Sequence, residues 1–438
     1  MAKALAAPAL ALIFACLHPF AAFGQDSAEL LTRMKAMEER IKSLEAEVQS
    51  LKNQPAPAPA VAQAALPAAV EAPAPQAPAP VSLGGAGGAA SKVLNPDIAV
   101  IGDFLGAAGN GAHHGTPALE MHESEVAFQA ILDPYARADF FISFGEQGVS
   151  LEEGYLTFPA LPGGLSLRAG KMRAAFGKVN SLHNHVLPWT DRPLVTQDLV
   201  GGEDGINDAG FSLTRIFAGP KQIFLEGTAQ LFRGDSGDLY RSYRRSDVST
   251  VEHMRGYRDI TESTNLDLGV SYSRGHSALA SNVVDQLYGI DATVRWKPLR
   301  RSIYHSFVGR SEFIWSRVSQ PKQVLTPFGY YVSTDYQFAR RWFLGGRFDR
   351  SQRLTNAAMP NNVAALLIPS AVVLPNVSPA SSALFQDTGG SLVLTYWPSE
   401  FSQIRGQLRR TRYGEGLTAN ELLFQFQFSI GAHGAHPF

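Results

Sequence analysis

The 438-residue sequence has only one cysteine, so it can form neither an internal disulfide framework nor a zinc site built on cysteine ligands. Its net charge is −1, which excludes the strongly basic balance expected of a nucleic-acid-binding protein. Residues 91–438 contain no apolar run of about 18 residues, so we expect no transmembrane helix there. With 45% apolar residues, the chain is also not disordered as a whole.

Sequence motifs of common enzyme classes are missing as well. We find no Gly-x-Ser-x-Gly nucleophile elbow, no phosphate-binding Gly-x-x-x-x-Gly-Lys-Ser/Thr loop and no His-Glu-x-x-His pair. The dipeptide His122-Glu123 lacks the second histidine that such a zinc motif needs. We therefore predict a protein that is not an enzyme and that requires no cofactor.

Residues 1–24 have the features of a secretory signal peptide. Lys3 precedes an apolar run, and the small residues Ala22 and Gly24 precede a cleavage position before Gln25. Cleavage there would remove Cys16 and leave a mature chain without cysteine. Lipidation of Cys16 is the alternative, although Phe14 is large for a lipoprotein cleavage site.

The next segment, residues 25–53, has apolar side chains that recur at intervals of three and four residues, with charged side chains between them. This heptad pattern predicts a short coiled coil, and a lone amphipathic helix is the alternative. Residues 54–90 are rich in Pro, Ala and Gly, which favours an extended linker over a folded element. We therefore predict a tethered oligomerisation segment ahead of the main domain.

The main domain, residues 91–438, alternates apolar and polar side chains in segments of about ten residues. Short turns alternate with longer connections, as in transmembrane β-barrels, whose turns are short on the periplasmic side. The pattern predicts an all-β fold, a 16-stranded antiparallel transmembrane β-barrel. The predicted strands are 97–106, 119–132, 135–145, 149–158, 165–176, 208–218, 222–233, 249–260, 263–275, 284–296, 302–317, 327–338, 342–353, 386–397, 401–412 and 420–431.

Three of the five tryptophans, Trp296, Trp342 and Trp397, stand next to predicted short turns, and Trp315 stands near the opposite strand ends. Indole rings prefer the membrane–water interface, so we expect an aromatic girdle on the turn side. Tryptophans at the strand ends of a soluble barrel are the alternative. An even number of strands places both chain ends on that same side, where the coiled coil would lie in the periplasm.

Residues 165–195 resemble the trimeric phosphate-selective porin family of outer-membrane channels. The resemblance rests on a strand that ends in Gly-Lys-x-x-x-x-Phe-Gly, followed by a loop with Asp-Arg-Pro; the corresponding residues are Gly170, Lys171, Phe176, Gly177, Asp191, Arg192 and Pro193. The segment 257–275 is also similar. The resemblance implies a trimer in the bacterial outer membrane whose third external loop, here 177–206, folds into each pore.

The predicted strands place many charged side chains in the pore, and we expect the pore constriction to be built from these and from the third loop. Inward positive positions are Arg137, Arg168, Arg295, Arg310, Arg347, Arg405 and Arg409. Inward negative positions are Glu123, Glu125, Asp139, Glu226, Asp267, Asp291, Glu312, Asp335 and Asp349. Further constriction candidates are Lys171, Arg173, Asp191, Arg192, Glu203 and Asp204.

This near balance departs from the excess of Arg and Lys in phosphate-selective members of the family. Charged pore residues can create a field that filters solutes. They can also pair across neighbouring strands, or anchor the loop to the inner wall through salt bridges. The sequence leaves both functions open.

Histidines occur in close pairs: His113 with His114, His183 with His185, and His433 with His436. Such a pair binds zinc or copper when a third ligand converges on it. We expect solvated loop or rim histidines instead, so no metal site is assigned.

The sequence thus predicts an outer-membrane porin for passive diffusion of small hydrophilic solutes, with anions such as phosphate implied by the resemblance. The alternatives are a specific uptake protein or receptor, metal-linked through its histidines, and a tether between outer membrane and cell wall. Expected partners are membrane lipid, two further copies in a homotrimer, the outer-membrane assembly machinery and, through the coiled coil, peptidoglycan; no nucleic acid is expected.

Overall fold

The computed structural model describes most of the main domain and three residues before it. The described residues are Glu39, Lys42 and Ser43, which are helical, and 96–431 without 112–116, 147, 221–222, 320–323 and 356–382. The predicted signal peptide and linker, nearly all of the predicted coiled coil, and the pairs His113–His114 and His433–His436 lie outside the described residues.

The main domain is a single antiparallel sheet whose strands follow one another in chain order. The strands are β1 (Asp97–Gly109), β2 (Leu119–Asp133), β3 (Ala136–Gly145), β4 (Gly148–Leu161), β5 (Leu165–Arg173), β6 (Asn207–Ala218), β7 (Phe224–Phe232), β8 (Ser249–Thr261), β9 (Thr264–His276), β10 (Val284–Trp296), β11 (Ser306–Ser319), β12 (Val324–Leu325), β13 (Phe328–Ala339), β14 (Trp342–Thr355), β15 (Ala383–Ser399), β16 (Ser402–Arg412) and β17 (Thr418–Gly431).

The sheet closes on itself because β1 pairs with both β2 and β17. The two-residue strand β12 pairs only with the end of β11, and β11 pairs directly with β13. Sixteen strands therefore form the wall of a closed antiparallel barrel, which confirms the predicted fold class and strand number.

Two predicted strands extend at least three residues beyond the observed ones. The fifth strand ends at Arg173 instead of residue 176, because the chain turns into the barrel after Arg173 and Phe176 is buried there. The eleventh begins at Ser306 instead of residue 302. Arg301 has a φ of 73° and its carbonyl accepts hydrogen bonds from Tyr304 and His305, so these residues form a turn.

The two faces of the wall carry opposite kinds of side chain, as the period of two along a strand requires. On the β9–β10 pair, Val270 and Ile290 lie opposite each other and are about half exposed on the outer face. Asp267 and Asp291, on the same two strands, are fully buried on the inner face. None of the helices in the described parts of the chain is long and apolar enough to span a membrane.

Tryptophans lie at both ends of the barrel. Trp342 begins β14 and stacks on Tyr396 at a ring distance of 4.4 Å, and Trp296 ends β10 at the same side. Trp315 stacks on Phe328 near the opposite end, at 5.0 Å. These tryptophans therefore lie at the strand ends where the sequence predicted them.

The connection between β5 and β6, residues 174–206, enters the barrel and packs on its inner wall; we call it the lumen loop. It contains a 3-10 turn (Asn184–Val186) and the short helix α1 (Leu194–Leu199). Its apolar side chains form one cluster with apolar side chains of the wall. The buried members are Met172, Ala174, Phe176, Val179, Leu187, Trp189, Val195, Leu199, Val200, Ile206, Phe232, Tyr240, Val251, Leu287, Ile314, Tyr331 and Val393.

Candidate functional site

The lumen loop begins with a turn that fits only glycine. Gly177 has a φ of 60°, and a Cβ there would collide with Oε2 of Glu312 on β11. The other carboxylate oxygen of Glu312 accepts the backbone N–H groups of Lys178 and Val179, at 3.0 and 2.8 Å. The close approach of backbone and carboxylate therefore accounts for the glycine in the Gly-Lys-x-x-x-x-Phe-Gly motif.

Lys178 ties this start of the loop to the neighbouring wall. Its Nζ lies 2.8 Å from Oδ2 of Asp267 on β9 and 3.8 Å from Oδ1 of Asp291 on β10. Both aspartates are buried on the inner face. A loop cation thus meets two wall carboxylates.

Five residues later the loop reaches another part of the wall through His183. Its Nδ1 lies 2.7 Å from Oε2 of Glu125 on β2, and its Nε2 lies 2.7 Å from Oε1 of Glu153 on β4. Oε2 of Glu152 is 3.0 Å from the same Nδ1. Because ionised carboxylates only accept hydrogen bonds, both ring nitrogens act as donors and the ring carries a positive charge.

The second histidine of the pair, His185, lies beside the first and completes what we call the carboxylate cluster. Its Nδ1 is 3.8 Å from Oε2 of Glu123 and 3.9 Å from Oε2 of Glu125. The cluster comprises the two histidines and the wall residues Glu123, Glu125, Glu152 and Glu153.

Local strand geometry brings these four carboxylates together. Glu123 and Glu125 are two residues apart on β2, so both point inward. On β4 the register shifts by one residue, because Phe141 pairs with Glu153 and Ile142 pairs with Leu151. This β-bulge at Glu152 interrupts the alternation of faces, and two consecutive glutamates reach the same histidine.

The surrounding carboxylates raise the pKa of both histidines. Burial alone would lower the pKa of His183, but the hydrogen bonds to Glu125, Glu152 and Glu153 outweigh it and raise the pKa well above its usual value. Burial opposes the charge on His185 too, yet Glu123 and Glu125 raise its pKa.

The two contacts lie on separate parts of the barrel wall. Lys178 binds Asp267 on β9 and lies near Asp291 on β10, whereas His183 binds Glu125 on β2 and Glu153 on β4. The lumen loop therefore joins strands that are well separated in the wall.

Further along, the loop carries an aspartate to a third part of the wall, which we call the arginine wall: Arg347 on β14 with Arg405 and Arg409 on β16. Oδ2 of Asp191 accepts hydrogen bonds from Arg347 at 2.8 Å and Arg409 at 2.7 Å, and its Oδ1 accepts one from Gln407. Burial would raise the pKa of Asp191, but the two arginines outweigh burial and hold it below its usual range.

The arginines also hold loop carbonyl groups and wall carboxylates. Arg405 donates to the carbonyls of Leu187 and Trp189 at 2.8 and 3.1 Å, and Arg347 donates to the carbonyl of Asp191 at 2.8 Å. The Arg347 guanidinium also lies 5.0 Å from the centre of the Trp189 ring. On the wall itself, Arg347 pairs with Asp349, and Arg409 pairs with Glu421.

Two polar residues brace the loop internally. Arg192 is buried and donates to the carbonyls of Val179 and Leu182. Burial, together with the charge of Arg173, lowers its pKa to about 9. Asn180 accepts a hydrogen bond from the N–H of Ile206 and donates to carbonyls at both ends of the loop, so it closes the loop base.

The structure places the predicted constriction residues in two groups. Those in contact with the lumen loop, or within it, are Arg173, Asp191, Arg192, Glu203, Asp204, Arg347, Arg405 and Arg409. Those on the inner wall away from these contacts are Arg137, which pairs with Asp139, Arg168, which lies over the Tyr155 ring, Arg295, near Asp267, and Arg310, which pairs with Asp335.

Lys171 was assigned to the wrong face. Met172 is buried in the loop core, so the preceding residue of the same strand points outward. Its Nζ donates to the carbonyl of Leu151, at 2.6 Å. Of the two functions left open for Arg192, its contacts favour bracing of the loop, because its guanidinium is buried among loop carbonyls.

The expectation of solvated histidines is wrong for His183 and His185, each of which is 3% exposed. Glu152, Glu153, Lys178 and Gln407 are functional residues that were not predicted from the sequence. The adjacent glutamates in an alternating strand were the available signal for a bulge. Nothing in the sequence indicates that Gln407 meets Asp191.

No protein-family model matches the sequence. A relative from Aquifex aeolicus, described as an uncharacterized protein, is 27% identical over 372 residues, covering 75% of this chain and 73% of the relative.

Two solved structures are similar to the barrel. OprB from Pseudomonas putida has a TM-score of 0.52 and 10% identity, over 78% of this chain and 95% of its own. An anion-selective porin from Comamonas acidovorans has a TM-score of 0.51 and 9% identity, over 76% and 99%. The chain has the porin fold. At such identities, the likeness carries the fold alone.

Proposed function

We propose that the protein is an outer-membrane channel for passive diffusion of small hydrophilic solutes. The observation that carries this proposal is the lumen loop, which lies inside a closed sixteen-stranded barrel and is fixed to the wall on several sides. A loop anchored in this way narrows the passage while the barrel around it keeps a charged inner face.

The outer face supports the membrane location. Large apolar side chains such as Leu268, Val270, Leu392 and Leu408 are about half exposed on it. Lipid would cover this surface, since an apolar band with aromatic residues at its margins is the outer surface of barrels in the outer membrane. The periplasmic location of the predicted coiled coil stays a prediction.

A preference for phosphate remains a prediction from the sequence resemblance. The most buried arginines of the lumen, Arg347, Arg405 and Arg409, already bind carboxylates, amides or loop carbonyls. Arg310 and Arg295 are more exposed, although each lies near an aspartate. We infer a channel of mild selectivity, in which these more exposed arginines act on passing ions.

Planar-bilayer recording of the purified barrel tests the channel. We expect stepwise openings whose conductance rises with salt concentration. Arg310→Gln should move the reversal potential in a salt gradient toward cations, because it removes a positive charge from the inner wall. The matched control is Arg410→Gln on the exposed outer face of β16, which should leave that potential unchanged.

Folded barrels that insert into the bilayer without any conductance would refute the channel. Equal reversal potentials for Arg310→Gln and the natural protein would refute only the role of Arg310. The expected trimer, assembly machinery and peptidoglycan contacts stay predictions, and the molecular mass of the detergent-solubilised protein tests the first of them.

A further inference from the structure

The carboxylate cluster contains four side chains of the kind that bind divalent metals. One ligand atom each from Glu123, Glu125, His183 and His185 lies within 4.8 Å of all the others. All four residues are buried, with exposures of 5%, 1%, 3% and 3%. The loop brings both imidazoles, and the wall strand β2 brings both carboxylates.

Some carboxylate oxygens of the cluster accept no hydrogen bond from the described residues. Oε2 of Glu123 and Oε1 of Glu125 accept no hydrogen bond from any residue that the structure describes. A buried carboxylate oxygen without a partner is costly, because it has lost its water. Two such atoms in one buried cluster favour the binding of a positively charged ligand there.

The charges in the vicinity lead to the same conclusion. Glu152 and Glu153 add two further carboxylates beside the four residues, while Arg173 pairs with Glu152 at 3.3 Å. Arg173 and the protonated His183 supply two positive charges against four carboxylates. A divalent cation would reduce the surplus of negative charge at the point where it is most concentrated.

A neighbouring carboxylate is also placed to orient one of the histidines. Nε2 of His183 lies 2.7 Å from Oε1 of Glu153 and keeps its proton, while Nδ1 is directed at the cluster and would release its proton when it binds a cation. Histidines that ligate a metal commonly donate their other ring nitrogen to a carboxylate in this way. Glu153 would therefore be a positioning residue and not a ligand.

From this geometry we propose that Glu123, Glu125, His183 and His185 bind a divalent cation, with zinc as the preferred ion. Two imidazole nitrogens and two carboxylate oxygens suit the tetrahedral coordination of zinc, whose bonds to these atoms are about 2.0–2.2 Å. The donor atoms would have to move closer together, and they can do so because two of them are on the loop. The bound ion would join the lumen loop to β2, and this role does not depend on what passes through the barrel.

The test is zinc titration of the full-length, detergent-solubilised barrel after removal of metal with a chelator, using competition with a chromogenic zinc chelator. We expect saturable binding that His185→Ala abolishes. Glu153→Gln should weaken the binding by roughly 10–100-fold, as expected for the loss of an orienting carboxylate. The matched control, His276→Ala, removes a histidine near Asp247, away from the cluster, and should leave the binding unchanged.

Gel mobility with and without heating shows whether each variant is folded. If His185→Ala does not fold, Glu123→Gln replaces it, with the same expected loss of binding. Zinc affinity in folded His185→Ala or Glu123→Gln equal to that of the natural protein would overturn the proposal, as would a natural protein that binds no zinc. Tighter binding of Mn²⁺ than of Zn²⁺ would overturn the choice of ion.

Hydrogen exchange provides a second measurement. Zinc should slow amide exchange in residues 178–187 of the natural protein, because the ion would hold this part of the loop on β2. The exchange of the same residues in His185→Ala should not respond to zinc. A response that is equal in both proteins would contradict the site.

Discussion

The lumen loop is fixed to the barrel wall in opposite ways at the carboxylate cluster and at the arginine wall. At the cluster, the positively charged loop residue His183 lies among wall carboxylates. At the arginine wall, the negatively charged loop residue Asp191 lies between two guanidinium groups. The chain as a whole is nearly neutral, yet its inner wall separates positive from negative charge.

The two anchors differ in how completely their polar atoms are bonded. Both carboxylate oxygens of Asp191 accept hydrogen bonds, and Arg347 and Arg409 each bind a second carboxylate as well. In the cluster, Glu123 and Glu125 each keep an oxygen without a hydrogen bond from the described residues. The arginine wall is therefore complete by itself, whereas the cluster has room for a further cation.

Loss of the positive charge of His183 at the carboxylate cluster should have the largest effect on the docking of the lumen loop. In the presence of a chelator, His183→Gln should weaken the docking of the loop on β2 by about 3–5 kcal/mol, because it leaves buried carboxylates facing one another without their shared positive charge. Hydrogen exchange of residues 178–187 measures this docking. Asp204→Asn, at an exposed position of the same loop, is the control and should change it by less than about 0.5 kcal/mol.

If His183→Gln and Asp204→Asn gave the same exchange rates, His183 would not anchor the loop. Faster exchange confined to residues 187–194 would also contradict the prediction, since those residues contact the arginine wall.

Loss of the negative charge of Asp191 at the arginine wall should have a smaller effect on the docking of the lumen loop. Asp191→Asn removes two charged hydrogen bonds, but Arg347 keeps Asp349 and Arg409 keeps Glu421. We expect a loss of about 1.5–3 kcal/mol, measured by the exchange of residues 187–194. Recordings from single channels should also become noisier, because the loop is less firmly held.

The pH dependence of this second effect has a definite sign. The pKa of Asp191 is lowered in the folded protein, so its stabilisation is present above the ordinary pKa of about 3.8 and is lost as the pH falls further. The difference between the natural protein and Asp191→Asn should thus be constant from about pH 5 to 8. A difference that disappears at pH 6 would contradict the assignment.

The fold could be predicted from the sequence because each wall strand has one face toward an apolar and one toward a polar environment. The alternation of Val270 and Ile290 with Asp267 and Asp291 is visible along the chain without any knowledge of the partner strands. Strand bounds were least accurate where a local turn replaced a strand, as at Arg301.

The site was less predictable, because it depends on which strands the loop reaches and on breaks in the alternation. The bulge at Glu152 changes which carboxylates point inward, and no property of His183 by itself identifies β2 and β4 as its partners. Asp191 was identified by the Asp-Arg-Pro motif, but its role as an anchor follows only from its contacts with Arg347 and Arg409.

The smallest effect on stability should come from Asp198 on α1. Unlike Asp191, it forms no ion pair with an arginine of the described residues. Burial, together with the nearby Asp387, raises its pKa to about 7, although Ser351 and Arg353 favour the ionised form. Because the folded protein then holds a proton that the unfolded chain releases near pH 4, stability should fall as the pH rises from about 4 to 7. Asp198→Asn should remove this loss and gain about 1 kcal/mol at pH 8, with no gain at pH 4. Heat-induced gel shifts at the two pH values measure it, and an equal gain at both would show that Asp198 does not titrate in this range.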